Sequence, residues 1–145
     1  MDRKSLRKFL FMEAILNDQF NRLEDLDEDG DSSFIQSITN TYLGESLKDM
    51  DAIEQALSAI PLDQAKVEFV IHKFKGSSSS FGANKVTIEI IKMLDCCRAG
   101  DMVGCKAGFP SLKQEFDTLK NGMEAYMKFL QKDHGDLVVP TAGKY

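Results

Sequence analysis

The chain has 145 residues, 43% of them hydrophobic, with no tryptophan and three prolines, a length that fits one domain able to bury a core without disulfides or metal. A formal net charge of −5 argues against the basic face that nucleic acid or anionic lipid would require, and leaves a protein partner or a small ligand. No stretch reaches the ~20 apolar residues of a membrane span, and "MDRKSLRKFLFMEAIL" at the start lacks a small-residue cleavage site, so the chain reads as intracellular.

Apolar residues recur at helical spacing along most of the chain, and no run alternates long enough for a sheet. Leu6, Phe9, Leu10, Ile15, Leu16, Phe20 and Leu23 outline a first helix, ending before the acidic, turn-like "DLDEDGDSS". Phe34, Ile35, Ile38, Tyr42 and Leu43 begin a second, with a break expected near Gly44. Met50, Ile53, Leu57 and Ile60 carry the next helix as far as Pro61, which stops it. Asp63 is placed to cap a helix running through Phe81 with Gly82 as terminator, and Asn84 to cap another ending at Gly100. That last helix has the stripe Val86, Ile90, Met93, Leu94 and Cys97. A long final helix is marked by Leu112, Phe116, Leu119, Met123, Tyr126, Met127 and Leu130, and Pro110 should kink or delimit its start. The expected architecture is an all-α bundle forming one domain over residues 1–131, followed by a flexible tail over 132–145 without helical periodicity.

The stretch "HKFKGSSSSFG" interrupts a helical pattern with a glycine and four serines. On a wheel at about 100° per residue from Asp63, residues Val67, Val70, Ile71, Phe74 and Phe81 fall between about −20° and +80°, and His72 lies at about 180°. His72 therefore stands on the polar side. A solvated surface residue is the bland reading of any such histidine, but the surroundings here are specific. Gly76, one turn on, leaves bare backbone beside the imidazole for a macromolecule to approach. Lys75 can set an ammonium near anything attached to the ring, and Phe69 and Ala65 add apolar surface outside the core arc. An ordinary imidazole, with a pKa of about 6.5, is mostly the unprotonated nucleophile near neutral pH. Phosphoryl transfer depends mainly on positioning and on neutralising charge on the equatorial oxygens, a task suited to Lys75. Ser78 points coreward, where a small side chain admits a neighbouring helix; the other serines read as helix surface, without a base to make any of them a nucleophile.

These residues resemble the histidine-containing phosphotransfer proteins of plant two-component relays. "HKFKGSSSSFGA" is similar to their His-x-x-Lys-Gly-Ser-Ser signature, and "ILNDQFNRLEDL", "CCRAGDMVGC" and "LKQEFDTLKN" also resemble family segments. The resemblance extends to about residue 131 and implies a four-helix bundle with additional N-terminal helices. It implies that His72 accepts a phosphoryl group from the receiver-domain aspartate of a hybrid sensor kinase and passes it to a response-regulator aspartate. Lys75 would stabilise the phosphate and Gly76 give access, with partner docking by Ala65, Glu68, Phe69, Lys73, Gly76, Ser79 and Asn84. The resemblance also implies a monomer, cytoplasmic and nuclear residence, and cytokinin-type signalling. Departures from the family pattern are Lys73 and Asn84, each where glutamine is common, a less acidic second helix, and Pro110.

Other chemistries are weaker. Asp25, Asp27, Asp29 and Gly30 match the start of an EF-hand calcium loop, but its closing position is Gln36, which supplies no carboxylate, and Ser32 stands where an apolar residue is normal. An acidic interhelical turn is the expected reading. Two histidines and three cysteines, Cys96, Cys97 and Cys105, lack zinc spacing and disulfide pairing. No P-loop or kinase glycine loop is present, so no ATP use and no resident cofactor or metal is expected; magnesium would belong to the partner receiver domain. The alternative function is a helical adaptor or decoy that binds receivers without productive relay.

Overall fold

A computed structural model describes residues 1–27 and 32–142, with side chains described to residue 132. Six helices follow in order: α1 (Arg3–Met12), α2 (Asp18–Glu24), α3 (Ser33–Ser58), α4 (Gln64–Phe81), α5 (Asn84–Arg98) and α6 (Met102–Ala142). The long helices α3 to α6 pack in a ring, α3 on α4, α4 on α5, α5 on α6 and α6 on α3, while α1 lies on α6 and α2 on α3 and α4. The core is apolar side chains at helical spacing, with Phe20, Phe74 and Phe116 fully buried. Phe74 meets Phe116 edge-on with centroids 6.2 Å apart, and Tyr42 stacks on Phe81 at 4.4 Å. Among the described residues the expected all-α bundle is the fold observed.

The ends of α4 are where local chemistry puts them. The Asp63 carboxylate accepts from the Lys66 amide at 3.2 Å, and Gly82, with φ +87°, closes the helix in the left-handed conformation. The α5 stripe read from the sequence is buried at all five positions.

Three expectations about helix starts and breaks fail. The first helix is two: α1 stops at Met12, and the Asn17 side chain caps α2 by accepting from the Gln19 amide at 3.0 Å. The link between them is held from across the molecule. The Asn17 amide donates to the Gly82 carbonyl and the Asn84 amide to the Ile15 carbonyl, both at 3.0 Å. Helix α3 runs unbroken through exposed Gly44; burial on both sides of it offsets a glycine cost of about 1 kcal/mol. Helix α6 starts at Met102, well before Pro110, with Asp101 accepting from the Gly104 amide at 2.8 Å. Proline there deprives the Lys106 carbonyl of its partner, and both residues are exposed, so water replaces it. Beyond Leu130, where the sequence shows no helical periodicity, the backbone is helical to Ala142.

The short helices are latched to α6 by charge. The Arg7 guanidinium donates to Glu24 at 3.1 Å and to the Asn21 carbonyl oxygen at 2.9 Å, and the Tyr126 hydroxyl donates to Glu24 at 2.6 Å. Burial and the neighbouring carboxylate push the Tyr126 phenol well above its ordinary value, so it remains a donor.

In the acidic turn, the two Asp27 oxygens accept from the amides of Phe34 and Ile35 at 3.0 and 3.1 Å, covering the first turn of α3. Gln36 donates to the Ser32 hydroxyl at 2.8 Å. Asp27 and Gln36 thus serve the helix start; Asp29 and Gly30 lie outside the described residues.

Candidate functional site on α4

The core of α4 is Val67, Ile71, Phe74, Ser78 and Phe81, all buried. Their spacing of four and three residues turns one stripe inward and leaves the opposite face to solvent. His72 is exposed on that face, as the wheel requires. Gly76 is exposed one turn away, and a Cβ built on it meets no atom within 4 Å. Ala65 and Ser79 are exposed, and Phe69, about two turns before Gly76, is 69% exposed, an apolar ring in water. Lys75 is half-buried.

Glu68 pairs with Arg98 of α5 at 3.1 Å. Lys73 reaches the other way and donates to the Asp49 carboxylate of α3 at 2.6 Å, a bond that raises its ammonium pKa above the ordinary lysine value. Asn84 is placed differently from expectation. It is the first residue of α5, the N-cap is Ala83 without a side-chain bond, and the Asn84 amide group donates to the Ala14 carbonyl at 2.9 Å. Its carbonyl oxygen accepts from Asn17 at 3.3 Å. The side chain is thus engaged in the α1–α2 link.

The serine run divides by face. Ser78, fully buried, shares a 2.7 Å hydrogen bond with the Tyr42 hydroxyl of α3. Burial pushes the Tyr42 phenol up to about 12. Ser77 donates to the Phe74 carbonyl at 3.2 Å, and Ser79 and Ser80 are exposed. Among the described residues none of the four meets a histidine in a hydrogen bond. The small residues let α3 approach α4 closely enough for the phenol to reach a serine hydroxyl.

Three features escaped sequence reasoning. Asp49 lies in the inward series Tyr42, Ser46, Asp49, Ile53 and Ala56 of α3; a carboxylate in such a series demands a cation, and that was the signal available. The Tyr42–Ser78 pair had no local signal. Neither did a largely apolar cavity of about 350 Å³ between α2, α3 and α4, lined by Leu23, Ile38, Tyr42, Ser77 and Phe81 among others. The thiols of Cys97 and Cys105 are buried, and burial pushes the latter up to about 11, a poor nucleophile at neutral pH. Among the described residues no group of three or more His, Cys, Asp or Glu is placed to hold a metal, and no helix is long and apolar enough to cross a membrane.

A family model described as "Hpt domain" matches residues 37–122. Histidine-containing phosphotransfer protein 4 of Arabidopsis thaliana is 36% identical over 120 residues, spanning 83% of this chain and 94% of that protein. Pseudo histidine-containing phosphotransfer protein 1 of rice is 31% identical over 130 residues, spanning 88% and 70%. The crystal structure of a histidine-containing phosphotransfer protein from Medicago truncatula superposes with a TM-score of 0.83 at 27% identity, covering 99% of this chain and 93% of that one. With the matched segment containing the whole of α4 and its outward histidine, the chain belongs to the Hpt family of histidine phosphotransfer domains.

Proposed function

We propose that this protein is a phosphorelay intermediate. It accepts a phosphoryl group on His72 from the receiver-domain aspartate of a hybrid sensor kinase and hands it to the aspartate of a response regulator. In each transfer the unprotonated ring nitrogen and a carboxylate exchange one phosphoryl group: the bond from phosphorus to the donor oxygen breaks as the bond to nitrogen forms, and the reverse occurs on delivery. The observation that carries this reading is an exposed imidazole on a buried-core helix, beside a glycine whose missing side chain leaves open space. A receiver can bring its acyl phosphate onto the ring there without displacing protein atoms. Lys75 supplies positive charge to the phosphoryl oxygens. Phe69, Ala65, Glu68, Lys73 and Ser79 form the contact surface around it.

The domain acts as a carrier: it uses no ATP, acts as a monomer, and relies on magnesium bound by the receiver. Residence in cytoplasm and nucleus and a place in cytokinin signalling belong to the same proposal. The test is incubation with a phosphorylated receiver domain. Label should move to the protein in an acid-labile form and be absent in His72→Gln; no label from a panel of receivers would reject the shuttle.

One observation favours the second reading, an adaptor that docks receivers without relay. Three of the relatives, from rice and 29–31% identical, carry the name pseudo histidine-containing phosphotransfer protein. The same assay decides, since an adaptor binds the receiver and takes no label.

A further inference from the structure

Asp49 is a buried carboxylate beneath an exposed face. Its side chain is 7% exposed, it lies in the inward series of α3, and Lys73, the residue after His72, reaches across to it at 2.6 Å. A carboxylate in this position costs stability unless it is paired and hydrogen-bonded. Core packing alone would be served as well by an apolar side chain, so the ion pair invites a reason at the surface above it.

The charges around His72 supply that reason. Glu68, one turn before it, is paired with Arg98 at 3.1 Å, and Lys73 is paired with Asp49 at 2.6 Å. Lys75 makes no ion pair among the described residues. Of the charged residues within four positions of His72 on α4, Glu68, Lys73 and Lys75, the first two are thus paired and Lys75 alone is left without an ion pair among the described residues. A lysine next to His72 in sequence does not point along the same line as the ring. Its ammonium nevertheless lies on a flexible four-carbon stem, and within about 10 Å at ordinary ionic strength its charge is felt by a phosphoryl dianion.

We infer that Asp49 is a positioning residue for the relay site: it holds the Lys73 ammonium against α3 and cancels its charge, so that a phosphoryl group on His72 is stabilised by one cation, Lys75, and stays transferable. This rests on the reading that His72 is phosphorylated. A carrier must release what it accepts, and a second uncancelled cation would deepen the phosphohistidine well and slow delivery.

The experiment uses a small donor, so that its result does not depend on whether any receiver domain phosphorylates the chain. The full chain is equilibrated with phosphoimidazole and imidazole: the nitrogen–phosphorus bond of the donor breaks as one forms at the His72 ring nitrogen, and imidazole leaves with the proton displaced from His72. The exchange constant is read by 31P NMR, with His72→Gln as the blank for His134. Asp49→Asn keeps the shape and an acceptor oxygen but removes the charge, and should raise the constant about three- to tenfold. Asp49→Asn combined with Lys73→Gln should return to within about twofold of wild type, because the released cation is gone too. A purely structural carboxylate would lower the melting temperature and leave the constant unchanged; that result overturns the inference, as does a shift that persists in the double variant. If Asp49→Asn does not fold, Lys73→Gln alone carries the test, with the constant expected to fall about threefold and an unchanged value overturning the inference. Receiver-dependent labelling, measured separately, bears on the relay reading alone.

Discussion

Gly76→Gln separates stability from function in opposite directions. Gly76 lies in the interior of α4, where glycine is about 1 kcal/mol worse than alanine and glutamine only a few tenths worse. A side chain there meets no atom within 4 Å, so nothing in the packing opposes that gain. The variant should be stabilised by roughly 0.5 kcal/mol, a rise in melting temperature of about 1–3 °C for a chain of this size. The same open space is the approach to His72. A glutamine one turn away on the same face projects across the imidazole, and transfer from a phosphorylated receiver should slow at least about tenfold, a loss of about 1.4 kcal/mol of transition-state stabilisation. The assay is a thermal melt by circular dichroism alongside single-turnover transfer of label from a receiver, with Gly76→Ala as an intermediate case for transfer and at least as stable as Gly76→Gln in the melt. Equal transfer rates for wild type and Gly76→Gln would refute the argument that the glycine is there for access. A lower melting temperature would refute the open-space argument itself.

Lys75→Ala should leave the fold intact and reduce either the transfer rate or the phosphohistidine lifetime, measured by label decay; if both stay at wild-type values, the ammonium does not act on the phosphoryl group. Gly82→Ala forces a side chain into a residue with φ +87° and against the backbone nitrogen of Phe20, and should cost at least about 1–2 kcal/mol in urea unfolding. Tyr42→Phe leaves the Ser78 hydroxyl buried without its partner and should cost about 1–2 kcal/mol, partly recovered by adding Ser78→Ala. The same residue gives a pH dependence. The folded-state phenol is raised from 10 to about 12, so its contribution is complete below pH 10 and is lost as pH rises towards 12. On the order of 2 kcal/mol of stability should vanish across that window, and Tyr42→Phe should flatten that part of the curve.

The relation between His72 and the core was legible in the sequence because it is a local matter. A helix with Val67, Ile71, Phe74 and Phe81 inward has no choice about where residue 72 points, and Asp63 and Gly82 fix its ends through caps within a few residues. The family resemblance was legible in that string together with "ILNDQFNRLEDL", "CCRAGDMVGC" and "LKQEFDTLKN". Helix boundaries elsewhere were decided by partners far along the chain. The break between α1 and α2 exists because the Asn17 amide and the Ile15 carbonyl bond to Gly82 and Asn84, and no periodicity within residues 6–23 records that. Gly44 and Pro110 look like interruptions by propensity, yet tertiary burial of the flanking turns outweighs about 1 kcal/mol at the glycine, and solvent completes the carbonyl freed by the proline.

What the sequence by itself determined is the list of inward and outward positions, and hence an exposed imidazole beside a lysine and a glycine. Which charges around that imidazole remain free was settled only by the tertiary structure. Asp49 and Lys73 stand on different helices, with Glu68 and Arg98 likewise, and Asn84 is drawn to the α1–α2 link. The physical reason is the reach of the interactions: side-chain direction on a helix repeats every 3.6 residues and is written locally, whereas an ion pair forms with whatever the packing of helices brings within about 3 Å.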